Sequence, residues 1–156
     1  TAVLVAAAMK MGAIIADKPE DVQDLIYDFG KNLGIAFQLQ DDYLDAFGDP
    51  ETFGKQVGGD IIENKKTFLY LKALETSGAS EAKQLEHLYT INPAETSGKI
   101  EAVKNLFESS GAAELTRQEI EKYTNKAFDV LDKIEIAEEK KIPLRQFGEM
   151  LMNRKV

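Results

Sequence analysis

The chain has 156 residues, of which 44% are hydrophobic and 29% are charged, and its formal net charge is −8. A chain of this size can bury about two-thirds of the surface that it exposes when unfolded. The lack of cysteine excludes a disulfide framework and cysteine-based zinc or redox sites. The acidic net charge argues against nucleic-acid binding. No apolar run is long enough to predict stable membrane insertion.

Helices are predicted along almost the whole chain, starting with an alanine-rich segment over residues 2–16, where Gly12 is expected to mark close packing. The second helix begins near Pro19, because proline suits the first helical turn. Gly30 and Gly34 lie four residues apart on it and would let a neighbouring helix come close. Its apolar residues recur at spacings of three and four, as an amphipathic helix requires: Val22, Leu25, Ile26, Phe29, Leu33 and Phe37.

Further helices are predicted over residues 64–76, 80–90, 99–109, 112–140 and 144–154. Pro143 is expected to break the long helix that precedes it. No alternating apolar and polar run of convincing length predicts a strand. The predicted architecture is therefore an all-α helical bundle, with residues 1–156 forming one all-α region without an internal domain boundary.

The most informative segment ends the second helix and carries Asp41, Asp42 and Asp45. On a helix, Asp41 and Asp45 share a face, and Asp42 lies about 100° around from them. These carboxylates repel one another unless a cation lies between them. Hard oxygen ligands suit Mg²⁺, which bridges protein carboxylates to substrate phosphates. A solvated acidic helix end is the alternative interpretation of a bare motif of this type.

A glycine-rich loop that carries lysines follows these aspartates. Mg²⁺ and ammonium groups together neutralise the negative charge that grows on a departing phosphate group, so this combination favours diphosphate chemistry. The residues concerned are Gly48, Asp49, Pro50, Gly54, Lys55, Gly58, Gly59, Asp60, Lys65 and Lys66.

Other motifs that this segment suggests do not fit. Gln56 stands where a P-loop needs serine or threonine. Phe53 would occupy a calcium-ligand position of an EF-hand. Asp60 would stand where an EF-hand has a glutamate that binds calcium with both oxygens, and its side chain is too short for that role. The single histidine, His87, lacks the Glu-x-x-His context of a di-iron bundle, so we expect it at the surface.

The ordered pattern Gly34-x-x-Phe37-Gln38-x-x-Asp41-Asp42-x-x-Asp45, then Gly54-Lys55, Gly59-Asp60 and Asn64-Lys65, strongly resembles one region of a known family. That region is the second aspartate-rich region of the trans-prenyltransferases, also called polyprenyl synthetases, which include the farnesyl and geranylgeranyl diphosphate synthases. Weaker similarity covers residues 1–8 and 109–154. The family's first aspartate-rich motif has no counterpart here. We therefore expect the chain to be the C-terminal half of such an enzyme and to make no product alone.

The resemblance implies a Mg²⁺-dependent, geranyltranstransferase-like enzyme of isoprenoid biosynthesis. It would condense an allylic diphosphate head-to-tail with isopentenyl diphosphate, and it would be cytoplasmic and homodimeric. Asp41, Asp42 and Asp45 would hold the metal and form the catalytic set with Lys55, while Asp60 would reach a metal through water. The substrate-binding residues would be Thr1, Phe37, Gln38, Lys55 and Lys65, with Phe37 lining the cavity and Gln38 near the allylic group.

Two alternatives from other classes stay open, namely a terpene cyclase-like enzyme and a noncatalytic subunit or fragment that acts only through assembly. The lysine-bearing loop favours a prenyl synthetase over a cyclase. Without covering helices, apolar faces of the first two helices would face water, so we expect self-association as a symmetric dimer. The expected contact residues are Val3, Ala7, Ile14, Phe29 and Leu33.

Overall fold

The computed structural model describes residues 1–49 and 57–153, and within these ranges the chain is helical and contains no strand. The all-α prediction is confirmed. Across the part of the chain described, no helix is both long enough and apolar enough to cross a membrane. The helices are α1 (Ala2–Ile15), α2 (Glu20–Phe47), α3 (Gly59–Ile62), α4 (Phe68–Thr76), α5 (Ala79–Leu88), α6 (Ser97–Ser109), α7 (Ala112–Lys133) and α8 (Glu138–Met152).

The described residues form two compact units, each with its own apolar core. The first unit contains residues 1–40 and 119–153, and the second contains residues 41–118. The division falls within α2 and within α7. That the chain forms one all-α region stays a prediction.

The core of the first unit is built from the apolar faces of α2 and α7. Phe29, Leu33 and Leu131 are fully buried there, and Ile134 is 1% exposed. Fully burying one such side chain contributes roughly 1.5–3 kcal/mol. The apolar stripe predicted for the second helix therefore contributes to the face of α2 that forms this core.

Helix α1 approaches α2 closely because two glycines of α2 leave room for it. A Cβ atom on Gly34 would lie 2.7 Å from the Cα atom of Ala2, and one on Gly30 would lie 2.8 Å from the Sδ atom of Met9. The prediction that Gly30 and Gly34 admit a neighbouring helix is confirmed, and the neighbour is α1 of the same chain.

Two expectations about these helices are wrong. Phe29 and Leu33 are 0% exposed and cannot form a surface contact, because α7 and α1 cover that face of α2. Gly12 does not mark close packing, since no described atom lies within 4 Å of a Cβ placed there. The buried residues of α1 are alanines, and several of its large side chains point outward, with Val3 64% and Ile14 51% exposed.

The core of the second unit lies among α4, α5 and α6. Leu69, Leu85, Val103 and Phe107 are at most 1% exposed. The short helix α3 joins this core through Ile61, which is 2% exposed. Burial of Ile61 fixes the helix that carries Asp60.

The helices differ from the sequence prediction chiefly in three places. Helix α4 begins at Phe68 rather than at residue 64, since Asn64 has a φ of 56° and Thr67, the N-cap, is extended. The short helix α3 lies where only a loop was predicted.

The third difference concerns the predicted helix 112–140, which ends at Lys133. Ile134 and Ile136 then turn onto the core of the first unit, and α8 begins at Glu138 and contains Pro143. Proline removes one helical hydrogen bond, but α8 continues because Leu144 and Leu151 pack on that core.

Candidate functional site

The predicted aspartates lie at the C-terminal end of α2, within the second unit, and we call Asp41, Asp42 and Asp45 the acidic cluster. Asp42 is 8% exposed, and the other two are half-buried. The end of a helix carries the negative pole of the helix dipole, which disfavours carboxylates there. The position of the cluster is therefore electrostatically costly unless positive charge lies close to it.

The chain returns to the acidic cluster at Gly58. The N–H of Gly58 donates a hydrogen bond to the carbonyl oxygen of Asp45 over 2.6 Å, and the N–H of Asp60 donates to Asp45 Oδ2 over 2.9 Å. Gly58 has a φ of 86°, which favours glycine. These two bonds place Asp60 beside Asp45.

Lys65 brings a positive charge to these carboxylates. Its Nζ atom lies 3.0 Å from Asp60 Oδ2, 3.1 Å from Asp60 Oδ1 and 3.8 Å from Asp42 Oδ1. The hydrogen bond to Asp60 raises the pKa of Lys65 and keeps its side chain charged. Because the Lys65 side chain is 49% exposed, each pair contributes below about 1 kcal/mol to stability, and the ammonium faces solvent.

The environment of Asp45 disfavours its ionised form. Burial is the main cause of the raised pKa of Asp45, and repulsion from Asp60 and Asp41 raises it further. The N–H of Asp60 and the charge of Lys65 act in the opposite direction. A cation bound here would relieve this repulsion and favour the carboxylate.

The donor set fits an open magnesium site better than a closed one. Within residues 1–49 and 57–153, no three or more histidine, aspartate or glutamate side chains are arranged to hold one ion. Mg²⁺ usually keeps several waters and takes one or two carboxylates together with substrate phosphates. Carboxylate oxygens at the end of α2, beside a solvent-facing ammonium, match that mode of binding.

Two residues predicted to bind substrate are brought together in the first unit. The Oγ1 atom of Thr1 donates a hydrogen bond to Gln38 Oε1 over 2.8 Å. Phe37 is half-buried and lies on the wall of a mainly apolar pocket of about 220 Å³. The other residues around this pocket are Thr1, Val5, Leu33, Gly34, Phe147 and Leu151.

The structure does not place every predicted residue. Gly54 and Lys55 lie outside the described residues, so the catalytic and substrate-binding roles of Lys55 stay predictions. Lys66 and His87 are exposed, and for His87 the sequence predicted this.

Sequence reasoning missed Lys99, which is 4% exposed. Its Nζ atom donates hydrogen bonds to Asn64 Oδ1 over 2.6 Å and to the carbonyl oxygen of Ile91 over 3.0 Å. A signal was available, because Lys99 lies four residues before Val103 and hence on the buried stripe of α6.

Comparisons with known proteins identify the family of the chain. Residues 1–107 match the family model described as Polyprenyl synthetase. A short chain isoprenyl diphosphate synthase of Methanothermobacter thermautotrophicus is 44% identical over 115 residues, which are 73% of this chain and 34% of that protein.

Solved structures show the same fold. A geranylgeranyl pyrophosphate synthase is 53% identical, with a TM-score of 0.90 over 100% of this chain and 49% of the other. The geranylgeranyl pyrophosphate synthase of Corynebacterium glutamicum, complexed with isoprenyl diphosphate and magnesium, is 31% identical, with a TM-score of 0.80 over 92% of this chain and 40% of the other. This chain therefore spans between about a third and a half of the length of these relatives.

Proposed function

The chain belongs to the polyprenyl synthetase family, and from this premise we propose that it contributes a Mg²⁺-dependent diphosphate site to head-to-tail prenyl transfer. The substrates proposed are an allylic diphosphate and isopentenyl diphosphate. The observation that carries the proposal is the ammonium of Lys65 beside Asp60 and Asp42, at the acidic end of α2. We call the acidic cluster, Asp60 and Lys65 together the diphosphate site.

In this proposal, Asp41, Asp42 and Asp45 would hold Mg²⁺ together with substrate phosphates, with one or two carboxylates to each ion, and Asp60 would act on a metal through water. When bound, the ion stabilises the charge that develops on the departing diphosphate. Lys65 donates hydrogen bonds to diphosphate oxygens, and Asp60 orients its ammonium before substrate arrives. Lys55 supplies a further positive charge.

The reaction proposed breaks the allylic C–O bond, and the diphosphate departs with the electron pair. The double bond of isopentenyl diphosphate attacks the allylic carbon, and a new C–C bond forms. A proton is then lost, with diphosphate as the base. The protein supplies charge stabilisation and an apolar surface that excludes water.

Thr1, Phe37 and Gln38 are assigned to the allylic substrate on the family resemblance. The hydrogen bond from the Thr1 hydroxyl orients the Gln38 amide, and an oriented carbonyl dipole stabilises positive charge on an allylic carbon. Phe37 offers an apolar wall for a prenyl chain. A cytoplasmic location, a homo-oligomer and geranyltranstransferase specificity stay predictions.

Calorimetric titration with geranyl diphosphate, in the presence and absence of Mg²⁺, tests the proposal. We expect binding to require Mg²⁺ and Asp42→Asn to weaken it on the order of tenfold or more, as the loss of metal-site partners does. Asp129→Asn, which changes an exposed carboxylate of α7, is the matched control and should bind as the wild type does. Equal affinity with and without Mg²⁺ would refute the proposal.

A further inference from the structure

The second unit buries a lysine that the mechanism above does not use. Lys99 is 4% exposed, and its hydrogen-bond partners are two neutral oxygens, Asn64 Oδ1 and the carbonyl oxygen of Ile91. Burial lowers the pKa of Lys99. Because a buried ammonium is unfavourable unless its hydrogen bonds are made, Lys99 holds the Asn64 amide firmly in place.

Asn64 is held at both ends of its side-chain amide. Its Oδ1 atom accepts from Lys99, and its Nδ2 atom donates to Asn92 Oδ1 over 2.8 Å. Since one end accepts and the other donates, only one orientation of the amide satisfies both bonds.

This held amide lies at a strained backbone position. The φ of Asn64 is 56°, in the left-handed region that non-glycine residues seldom occupy. Asn64 follows Glu63, the C-cap of α3, and a left-handed residue at that position ends a helix. The N–H of Asn64 donates to Ile61 O, and the N–H of Lys65 donates to Asp60 O over 2.9 Å. These two bonds form a Schellman motif.

The Schellman motif decides where the Lys65 side chain points. If Asn64 took a helical φ, α3 would continue and each following side chain would turn about 100° further around the helix. The ammonium of Lys65 would then leave its contacts with Asp60 and Asp42. The left-handed conformation of Asn64 is therefore a condition for the geometry of the diphosphate site.

We propose that Lys99 is a positioning residue of the diphosphate site, which acts through the Asn64 amide to fix the turn that directs Lys65 toward Asp60 and Asp42. This inference rests on the proposed function for the identity of the ligand. The arrangement of the turn itself is independent of that function, so the two can be tested separately.

The main test measures Mg²⁺-dependent binding of geranyl diphosphate to Lys99→Met in two backgrounds. In the wild-type background, we expect a loss of affinity of about tenfold, equal to 1.4 kcal/mol. In an Asn64→Gly background, we expect no further loss. Glycine adopts the left-handed conformation without side-chain support, so Lys99 no longer has an amide through which to act. Lys83→Met, at an exposed lysine of α5, is the control and should have no effect.

A purely structural role for Lys99 gives a different pattern. Lys99→Met would then lower the stability of the fold and leave diphosphate affinity unchanged, or it would lower affinity by the same factor in both backgrounds. Either result would overturn the proposal.

Amide hydrogen exchange separates this inference from the proposed function, because it needs no ligand. Lys99→Met should accelerate exchange of the Asn64 and Lys65 N–H groups, even if the wild type binds no diphosphate. Asn64→Ala removes the amide through which Lys99 acts and provides a second probe should Lys99→Met fail to fold. It should accelerate exchange of the Lys65 N–H group, and unchanged exchange in Asn64→Ala would overturn the inference.

Discussion

Replacing Gly58 with alanine should destabilise the second unit by about 3 kcal/mol, as the balance of three effects. The φ of Gly58 is 86°, and a left-handed conformation costs a residue with a Cβ atom roughly 1–2 kcal/mol. The new Cβ atom would lie 3.0 Å from three carbon atoms of Ile100, and overpacking of this type costs about 1–3 kcal/mol. The reduced entropy of the unfolded chain offsets roughly 0.4–1 kcal/mol of this cost.

Two other glycines separate these effects. Gly111 has a φ of 79°, but no described atom lies within 4 Å of a Cβ placed there. Gly111→Ala therefore tests the backbone effect alone and should cost about 1 kcal/mol or less. Gly98 lies in α6 with open space around its Cβ position, and Gly98→Ala should stabilise the protein by up to about 1 kcal/mol.

Urea unfolding followed by circular dichroism measures all three variants. The order of stability should be Gly98→Ala, wild type, Gly111→Ala and then Gly58→Ala. Adding Ile100→Ala to Gly58→Ala removes the crowding, so the cost of the double variant should be smaller than the sum of the two single costs. Equal costs for Gly58→Ala and Gly111→Ala would refute the role assigned to Ile100.

Three further outcomes are expected. Burial raises the pKa of Tyr89 above its ordinary value of 10.0, so the unfolded chain loses this proton before the folded chain does. The free energy of unfolding should therefore fall as pH rises above 10. Urea unfolding at pH 8–11 should show a smaller fall of this free energy for Tyr89→Phe. Gly34→Ala should lower the free energy of unfolding by about 1–2 kcal/mol, because its Cβ atom would clash with α1. Gly12→Ala should raise the same free energy by up to about 1 kcal/mol. If urea unfolding showed Gly34→Ala to be more stable than Gly12→Ala, the packing of α1 described here would be contradicted. Leu4 and Ile15 are 75% and 84% exposed, so light scattering should detect self-association of the wild type. The double variant Leu4→Lys, Ile15→Lys should associate less. A monomeric wild type would contradict this expectation.

The sequence was informative where periodicity and burial agree. The apolar stripe of α2 predicted the buried positions Phe29 and Leu33 as a helical face, although it did not reveal that α1 and α7 cover them. The acidic cluster and Lys65 were recognised as parts of a motif, because the order and spacing of charged residues can be seen in the sequence alone. Their contacts depend on Gly58 and Asn64, whose left-handed conformations no periodicity shows.

The sequence failed where tertiary contacts override local rules. Pro143 predicted a helix end, but packing of Leu144 and Leu151 holds α8 together through it. The sequence analysis did not single out Lys99, because burial of its ammonium requires partners 8 and 35 residues away along the chain. Hydrogen bonds between residues so far apart in the sequence can be identified only when the positions of the helices in the fold are known.

We propose that the acidic end of α2 binds diphosphate through a divalent metal, with Lys65 as a direct partner. Diffraction from crystals soaked with inorganic pyrophosphate and Mn²⁺, which shares the oxygen preference of Mg²⁺, tests it most directly. We expect anomalous density for the metal against oxygen atoms of the acidic cluster, with pyrophosphate between the metal and the Lys65 ammonium. Metal and pyrophosphate bound elsewhere, with Lys65 still paired to Asp60, would contradict it.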